Sequence, residues 1–187
     1  MNITEIPSIA FETTNKEHFK LKELYFGAKN KFTIRRMAFY NLNDLNYISL
    51  RANQLDRIDN EAFAFSKSSN HKLTVNFQDL NQLIYDNSFE TNSFKGINRP
   101  VNIWFWTSNI TNIKENIFKS VLNDKNNFIQ MNASYMNCID CKNYWLIRDG
   151  KDHQIINAKC NENKNLTLFS AEIRYKLISD CATTKLF

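Results

Sequence analysis

Apolar residues recur along the chain in pairs that enclose a single residue, and two further apolar residues follow four of these pairs at similar distances. In the clearest segment Ile48 and Leu50 form the pair, Ile58 lies eight residues after Leu50, and Phe63 lies five residues after Ile58. The alternation predicts a short β-strand whose paired side chains face the core, because successive strand side chains point to opposite faces. The two later residues predict a return segment that packs against the same core.

The spacing recurs, which indicates internal repeats. The pairs begin at residues 24, 48, 73, 103 and 129, so the steps are 24, 25, 30 and 26 residues. The longest step predicts an insertion near residues 92–99. Repeats of this length bury their apolar faces against one another. The alternative interpretation of the pattern is an ordinary α/β domain with scattered apolar residues. The residues that follow the other pairs are Ile34 and Phe39, Leu83 and Phe89, and Ile113 and Phe118.

Residues 45–58 read Leu-x-x-Ile-x-Leu-x-x-Asn-x-Leu-x-x-Ile, and Ala62-Phe63 follow. This segment resembles the consensus of the leucine-rich repeat, with Asn53 at the position of the consensus asparagine. The resemblance implies an α/β leucine-rich-repeat solenoid, with a short parallel concave sheet and an irregular or helical convex side. Residues 1–133 would then form about five coils, the first of them truncated.

The first residues resemble a later part of a repeat. The segment Asn2-Ile3-Thr4-Glu5-Ile6 is similar to residues 109–113, and Phe11 follows Ile6 at the distance at which Phe118 follows Ile113. We therefore expect a fragment that begins within a coil, with the missing strand encoded upstream of Met1. The first five residues lack the basic and apolar regions of a signal peptide. We therefore expect the signal peptide, like the missing strand, to be encoded upstream of Met1.

All four cysteines follow the last predicted strand: Cys138, Cys141, Cys160 and Cys181. Four cysteines allow three disulfide pairings. A zinc ribbon is the alternative, although it needs a second close pair of cysteines, and a redox Cys-x-x-Cys lacks a thioredoxin-like context. Stable disulfides would place the protein in an oxidising compartment, as a secreted protein or an ectodomain.

The segment Cys138-x-x-Cys141-x-x-x-Trp145-Leu146 resembles the Cys-Asp-Cys-x-x-x-Trp-Leu entry of the cysteine-containing cap that closes extracellular leucine-rich-repeat proteins. The spacing differs from the family, which has one residue between the first two cysteines. The resemblance implies a cap over residues 134–187, with bridges Cys138–Cys160 and Cys141–Cys181 and with Trp145 in its core. No metal is expected. Sequons that would suit a secreted glycoprotein occur at Asn2, Asn109, Asn132 and Asn165, about as often as chance predicts in an Asn-rich chain.

The strand register predicts which side chains face outward from the concave sheet. The distance to Ile113 favours a register in which Ile103 and Phe105 face the core, so that Trp104 and Trp106 face outward. In the alternative register the two tryptophans fill the core, and Ile103 and Phe105 face outward. Trp, Tyr and Arg are enriched at interface hot spots. The expected central row is Tyr25, Ser49, Thr74, Trp104 and Gln130, and the candidate binding residues are Tyr25, Tyr47, Arg51, Asn102, Trp104, Trp106 and Gln130.

Other kinds of chemistry find little support in the sequence. The basic residues behind the net charge of +5 are dispersed, so no nucleic-acid footprint is expected. The three histidines, at 18, 71 and 153, lie far apart, and there is no phosphate loop or hydrolase motif, so neither catalysis nor a cofactor is expected. No apolar run is long enough for a membrane span.

We therefore expect a non-catalytic extracellular module that binds a protein ligand or accompanies a partner subunit. The chain resembles receptor ectodomains of the Toll and Slit kind, and small secreted arthropod proteins similar to the non-catalytic subunit of the shrimp luciferin monooxygenase. The alternatives are a structural or adhesion protein that self-associates and a fragment of a cell-surface receptor ectodomain.

Overall fold

The computed structural model describes residues 4–11, 20–132, 135–163, 165–168 and 170–182. Within these ranges the protein is a mixed α/β fold with parallel sheets and two disulfides. Its strands are β1 Glu5–Ile6, β2 Glu23–Phe26, β3 Phe32–Ile34, β4 Tyr47–Arg51, β5 Leu55–Ile58, β6 Leu73–Gln78, β7 Val101–Trp106, β8 Phe128–Asn132, β9 Tyr135–Met136, β10 Ile155–Ile156 and β11 Lys159–Cys160. Its helices are α1 Gln82–Ser88, α2 Glu115–Leu122, α3 Tyr144–Arg148 and α4 Ala171–Cys181, with 3-10 turns at Ala52–Gln54, Cys141–Asn143 and Asp152–Gln154.

The larger sheet has six strands, and its spatial order β2-β4-β6-β7-β8-β10 follows the order of the strands in the chain. Every neighbouring pair is parallel, so the predicted succession of parallel strands is confirmed. On β7 the side chains of Ile103 and Phe105 are fully buried, whereas that of Trp106 is 49% exposed. The register in which the two tryptophans would fill the core is therefore wrong.

Strand β6 carries three buried apolar residues, Leu73, Val75 and Phe77, and the sequence prediction chose the wrong pair of them. Val75 and Phe77 align with the inward pairs of β4 and β7, whereas Leu73 lies one inward position earlier. Thr74, expected in the central outward row, therefore lies in the row before it. Asn76 takes the central position.

A second sheet has three parallel strands, in the order β1-β3-β5. Ile6 pairs with Ile34, and Ile34 pairs with Ile58, so these three buried residues occupy equivalent positions, as their spacing predicts. Parallel strands cannot be joined by tight hairpins, because the chain must cross back before each new strand begins. The second sheet supplies part of that return.

The turns that follow the second sheet are linked to one another by main-chain hydrogen bonds. Ile9, Met37, Glu61 and Asn92 all have positive φ, between 52° and 61°. The N–H of each donates to a carbonyl of the next turn: Ile9 to Met37 at 3.2 Å, Met37 to Glu61 at 3.0 Å, Glu61 to Asn92 at 3.0 Å and Asn92 to Asn116 at 3.0 Å. We call this series the turn ladder. Non-glycine residues seldom adopt this conformation, so its recurrence shows that the same turn is repeated.

A stack of phenylalanine rings runs through the core parallel to this series of turns. Phe63 lies between Phe39, at a centroid distance of 5.4 Å, and Phe94, at 4.8 Å, and Phe94 lies 5.4 Å from Phe118. We call Phe39, Phe63, Phe94 and Phe118 the phenylalanine stack. The spacing predicts three of the four residues, but it places Phe89 where Phe94 stands.

Helix α1 explains that error. Asn81 caps the helix, because its Oδ1 accepts a hydrogen bond from the N–H of Ile84 at 2.9 Å. The helix lengthens the return segment, so Phe89 forms a bridge with Ile58 while Leu83, predicted to lie in the core, is 73% exposed. The predicted insertion near residues 92–99 is therefore wrong, because the extra length lies in α1.

The cysteine-containing segment continues the fold. Strand β10 pairs with β8, so it extends the larger sheet, and one apolar core runs from the repeats into this segment. Disulfides join Cys138 to Cys160 and Cys141 to Cys181, which is the pairing that the family resemblance implies. Trp145 is buried, and its Nε1–H donates to the carbonyl oxygen of Ile113 at 2.7 Å. The indole therefore ties the end of the chain to the last return segment.

Candidate binding face

The outward side chains of the larger sheet form one continuous surface, which we call the open face. Paired registers place them in three rows across the strands. The central row passes from Tyr25 on β2 to Gln130 on β8. The rows are Glu23, Tyr47, Thr74, Asn102 and Phe128; Tyr25, Ser49, Asn76, Trp104 and Gln130; and Arg51, Gln78, Trp106 and Asn132.

The structure brings all seven candidate binding residues onto this face, although their role in binding stays a prediction. Tyr25 is 68% exposed and Trp106 is 49% exposed, whereas Tyr47 and Trp104 are half-buried. The Tyr25 and Tyr47 rings lie 5.5 Å apart. The Tyr25 hydroxyl donates to Glu23 at 2.9 Å, and this hydrogen bond is the main reason why the pKa of Tyr25 is raised. Aromatic groups of this face therefore stand on β2, β4 and β7.

A polar floor lies between these aromatic groups. Ser49 and Asn76 are 5% and 4% exposed even though they point away from the core, because larger neighbours cover them. The Asn76 amide donates to the Tyr47 hydroxyl at 3.1 Å, and the Gln78 amide donates to the Ser49 hydroxyl at 3.1 Å. The sequence prediction missed the central position of Asn76, because Leu73, Val75 and Phe77 offer two equally good apolar pairs.

Three buried polar atoms of the open face have no hydrogen-bond partner: Asn76 Oδ1, Asn102 Oδ1 and Trp104 Nε1. Asn76 and Trp104 lie directly opposite each other on β6 and β7, and Asn102 precedes Trp104 by two residues on the same face. A buried polar group without a partner costs about 1–3 kcal/mol. Buried polar groups in folded proteins are nearly always paired, so this cluster marks a place where the free protein lacks donors and acceptors.

The open face is almost free of charge. Of the 12 outward residues on β4, β6, β7 and β8 only Arg51 is charged, in a chain with 23% charged residues. Ion pairs lie instead along the second sheet and its turns, which we call the return side. There Arg36 lies 2.6 Å from Glu61, and Arg57 lies 2.8 Å from Asp59 and also contacts Glu90. The hydrogen bond from Arg36 lowers the pKa of Glu61.

A cleft of about 540 Å³ lies where the cysteine-containing segment meets the last return segment. It is lined by Lys114, Glu115, Lys142 and Arg148, and by the Cys141–Cys181 bridge. Arg148 lies 2.8 Å from Glu115, and Lys114 lies 2.9 Å from Asp86. Most of the charge around the cleft is therefore already neutralised within the protein.

The remaining sequence candidates are dispersed. Asn109 and Asn165 are exposed, Asn132 is half-buried on the open face, and Asn2 and His18 lie outside the described residues. Among the described residues one group has metal-binding geometry, Cys138, Cys160 and Glu162, but its two sulfur atoms are joined in a disulfide. A disulfide sulfur is not the thiolate that metal binding requires, so this group is not a metal site.

No protein-family model, curated protein or solved structure matches this chain. Its class is therefore defined by its own architecture, a mixed α/β protein with parallel sheets and two disulfides. None of the helices in the described part of the chain has both the length and the apolar character that a membrane span needs. The disulfides and this finding fit a secreted or extracellular protein.

Proposed function

We propose that this protein is a non-catalytic extracellular binding module of the leucine-rich-repeat type, and that its open face binds a partner protein. One observation carries the proposal: aromatic and amide side chains form a partly exposed surface across the parallel strands, with Arg51 as the one charged residue of the four central strands. Trp, Tyr and Arg supply most of the binding energy in protein interfaces. Tyr25, Tyr47, Arg51, Trp104 and Trp106 provide all three residue types on this face.

The strand order supports the solenoid part of the proposal. Strands of the larger sheet are neighbours in space in the order in which they occur in the chain, and the turn ladder repeats one turn at equivalent positions. Both are expected of stacked repeats, in which each repeat contacts mainly its neighbours. The segment tied by the two disulfides would then cover the last repeat.

The rigidity of the face favours binding. Its side chains stand on strands whose inward neighbours are fully buried, including Ile48, Val75 and Ile103. Side chains held in place before binding lose less conformational entropy on association, so more of the contact energy appears as affinity. The protein would accompany or stabilise its partner through this surface.

Photo-crosslinking tests the proposal. The full chain, secreted with its disulfides intact, would carry p-benzoylphenylalanine in place of Tyr25 on the open face. A matched chain would carry it in place of Tyr175, which is similarly exposed (76%) but lies on α4. Each chain would be irradiated in extracellular fluid from the source organism, and crosslinked proteins would be identified by mass spectrometry.

We expect one protein to crosslink through position 25 and not through position 175. Excess unlabelled chain should compete with the crosslink, and Trp106→Ala should abolish it. Equal crosslinking from both positions, or a crosslink that persists in Trp106→Ala, would show that the open face is not the binding surface.

A further inference from the structure

The chemistry of the open face restricts what it can recognise. The protein has a net charge of +5, yet the four central strands present a single outward charge, Arg51. The other charges at this face are Glu23 on β2 and Lys72, whose ammonium lies 5.9 Å from the centroid of the Phe128 ring. A charged ligand would therefore find little complementary potential there, and complementary potentials are the usual device for steering charged partners. The surface instead combines aromatic rings with Ser, Asn and Gln. Antibody binding sites use this combination, with rigid aromatic anchors beside adaptable amide and hydroxyl groups.

The unpaired atoms add a polar pattern. Trp104 Nε1 is a donor without an acceptor, while Asn76 Oδ1 and Asn102 Oδ1 are acceptors without donors. Asn76 is 4% exposed, so solvent contributes little to its carbonyl. All three residues lie on β6 and β7; the exposed ring of Trp106 stands on β7 as well, and that of Tyr25 stands on β2. A ligand with one acceptor and neighbouring donors would give each of these three atoms a hydrogen-bond partner.

We infer, on the basis of the proposed function, that the open face recognises an uncharged, extended polypeptide segment of its partner, and that Trp104, Asn76 and Asn102 pair with main-chain groups of that segment. An extended main chain presents N–H donors and carbonyl acceptors in turn, so it can supply partners to one donor and two neighbouring acceptors. The exposed rings would hold apolar side chains of the segment on either side. Beyond Arg51 the central strands offer no charged partner, so neutrality is part of the specificity.

A neutral glycan is the competing ligand, because hydroxyl groups also donate and accept hydrogen bonds. Arg51 and the paired tyrosines Tyr25 and Tyr47 favour the polypeptide, since these residue types dominate protein interfaces. The two ligands make different predictions in the same assay.

Selection from a random peptide library tests the inference. A yeast-displayed library of random dodecapeptides would be sorted against the disulfide-bonded chain, and binders that also bind Trp106→Ala would be removed. An array of neutral oligosaccharides would be probed with the same two proteins. Affinities of the enriched peptides would be measured over about 0.05–0.5 M sodium chloride, a range that strongly changes the screening of exposed charges.

We expect enriched peptides with few acidic or basic residues, and affinities that change less than about twofold over that salt range. Trp104→Phe keeps an aromatic ring but removes the Nε1–H, so it should weaken binding about threefold to tenfold. The melting temperature of this variant should not fall, because the lost donor has no partner in the free protein. A purely structural tryptophan would lower the melting temperature and leave the affinity of the folded protein unchanged.

Several outcomes would overturn the inference. Enrichment of acidic or basic peptides with salt-dependent affinity would show that neutrality is not selected, and binding of oligosaccharides instead of peptides would identify a different ligand class. In the first case, loss of binding in Trp106→Ala would leave the proposed function in place, whereas oligosaccharide binding that depends on Trp106 would count against a protein partner as well. Absence of any peptide specific to the wild-type face would also overturn the inference, whereas the crosslinking experiment decides the proposed function separately.

Discussion

The open face and the return side pack on the same apolar core but present opposite chemistry. On the return side, charged residues form ion pairs with one another: Arg36 and Lys95 both contact Glu61, and Arg57 contacts two carboxylates. On the open face only Arg51 is charged among the central strands, and three buried polar atoms have no partner. Charges on the return side are therefore paired within the protein, although Asp59 Oδ1 has an ion pair and no hydrogen bond, while the open face lacks partners that another molecule can provide.

The largest expected effect is on the core that the two faces share. Phe63→Ala would remove a fully buried ring from the middle of the phenylalanine stack. The resulting cavity should lower the free energy of unfolding by about 3–5 kcal/mol, which urea denaturation would measure. Leu83→Ala is the matched control, since that side chain is 73% exposed and its removal should change stability little. A large effect at Leu83 would contradict the position of α1.

The next effect concerns the segment that extends the sheet. Cys138→Ser combined with Cys160→Ser would remove one bridge, and we expect stability to fall by about 2–5 kcal/mol. Thermal unfolding would measure the loss, and mass spectrometry of the alkylated protein would verify that the Cys141–Cys181 bridge remains. If both bridges are absent from the mature protein, the assignment to an oxidising compartment fails.

Paired substitutions on the two faces compare them directly. Trp106→Ala on the open face should change stability by less than about 1 kcal/mol, because the side chain is half exposed. It should abolish the crosslink from position 25. Arg57→Ala on the return side should also cost less than about 1 kcal/mol, as exposed ion pairs do, but it should leave the crosslink intact. The contrast is lost if Arg57→Ala impairs binding as severely as Trp106→Ala does.

The smallest effect is the response to acid. The pKa of Glu61 is lowered, chiefly by the hydrogen bond from Arg36. A lowered pKa in the folded state stabilises the protein above the unfolded pKa, and this contribution is lost as the pH falls through the folded pKa. The free energy of unfolding should therefore fall below about pH 4.5, and it should fall less steeply in Glu61→Gln. Urea denaturation at several pH values would measure how steeply the free energy of unfolding falls in each protein. An equally steep fall in Glu61→Gln would contradict the prediction.

The sequence predicts much of the strand framework, because alternation fixes which residues face inward wherever a strand has only one apolar pair. It succeeds for β2, β4 and β8 on this basis. On β7, where Val101, Ile103 and Phe105 also alternate, the distance to Ile113 selects the correct pair. It fails for β6, whose three alternating apolar residues permit two registers, and it cannot show that helix α1 displaces Phe89 from the phenylalanine stack. A strand register depends on pairing with neighbours, which no single segment specifies.

The candidate site shows the same division. Trp104 and Trp106 are predicted on the outward face because the distance to Ile113 selects Ile103 and Phe105 as the inward pair, and both of these residues are buried. The central position of Asn76 depends on the register of β6 and is therefore missed. The absence of charge from the central strands becomes visible only when residues from several repeats are aligned across the sheet.

The turn ladder has a consequence for engineering the protein. Ile9 holds a φ of 52°, a conformation that β-branched residues rarely adopt, and a carbonyl of the next turn accepts its N–H. Because that bond requires only the main chain, Asn or Gly at position 9 would retain it while relieving about 1 kcal/mol of steric cost. The ladder thus marks places where a more stable form could be obtained without altering either face.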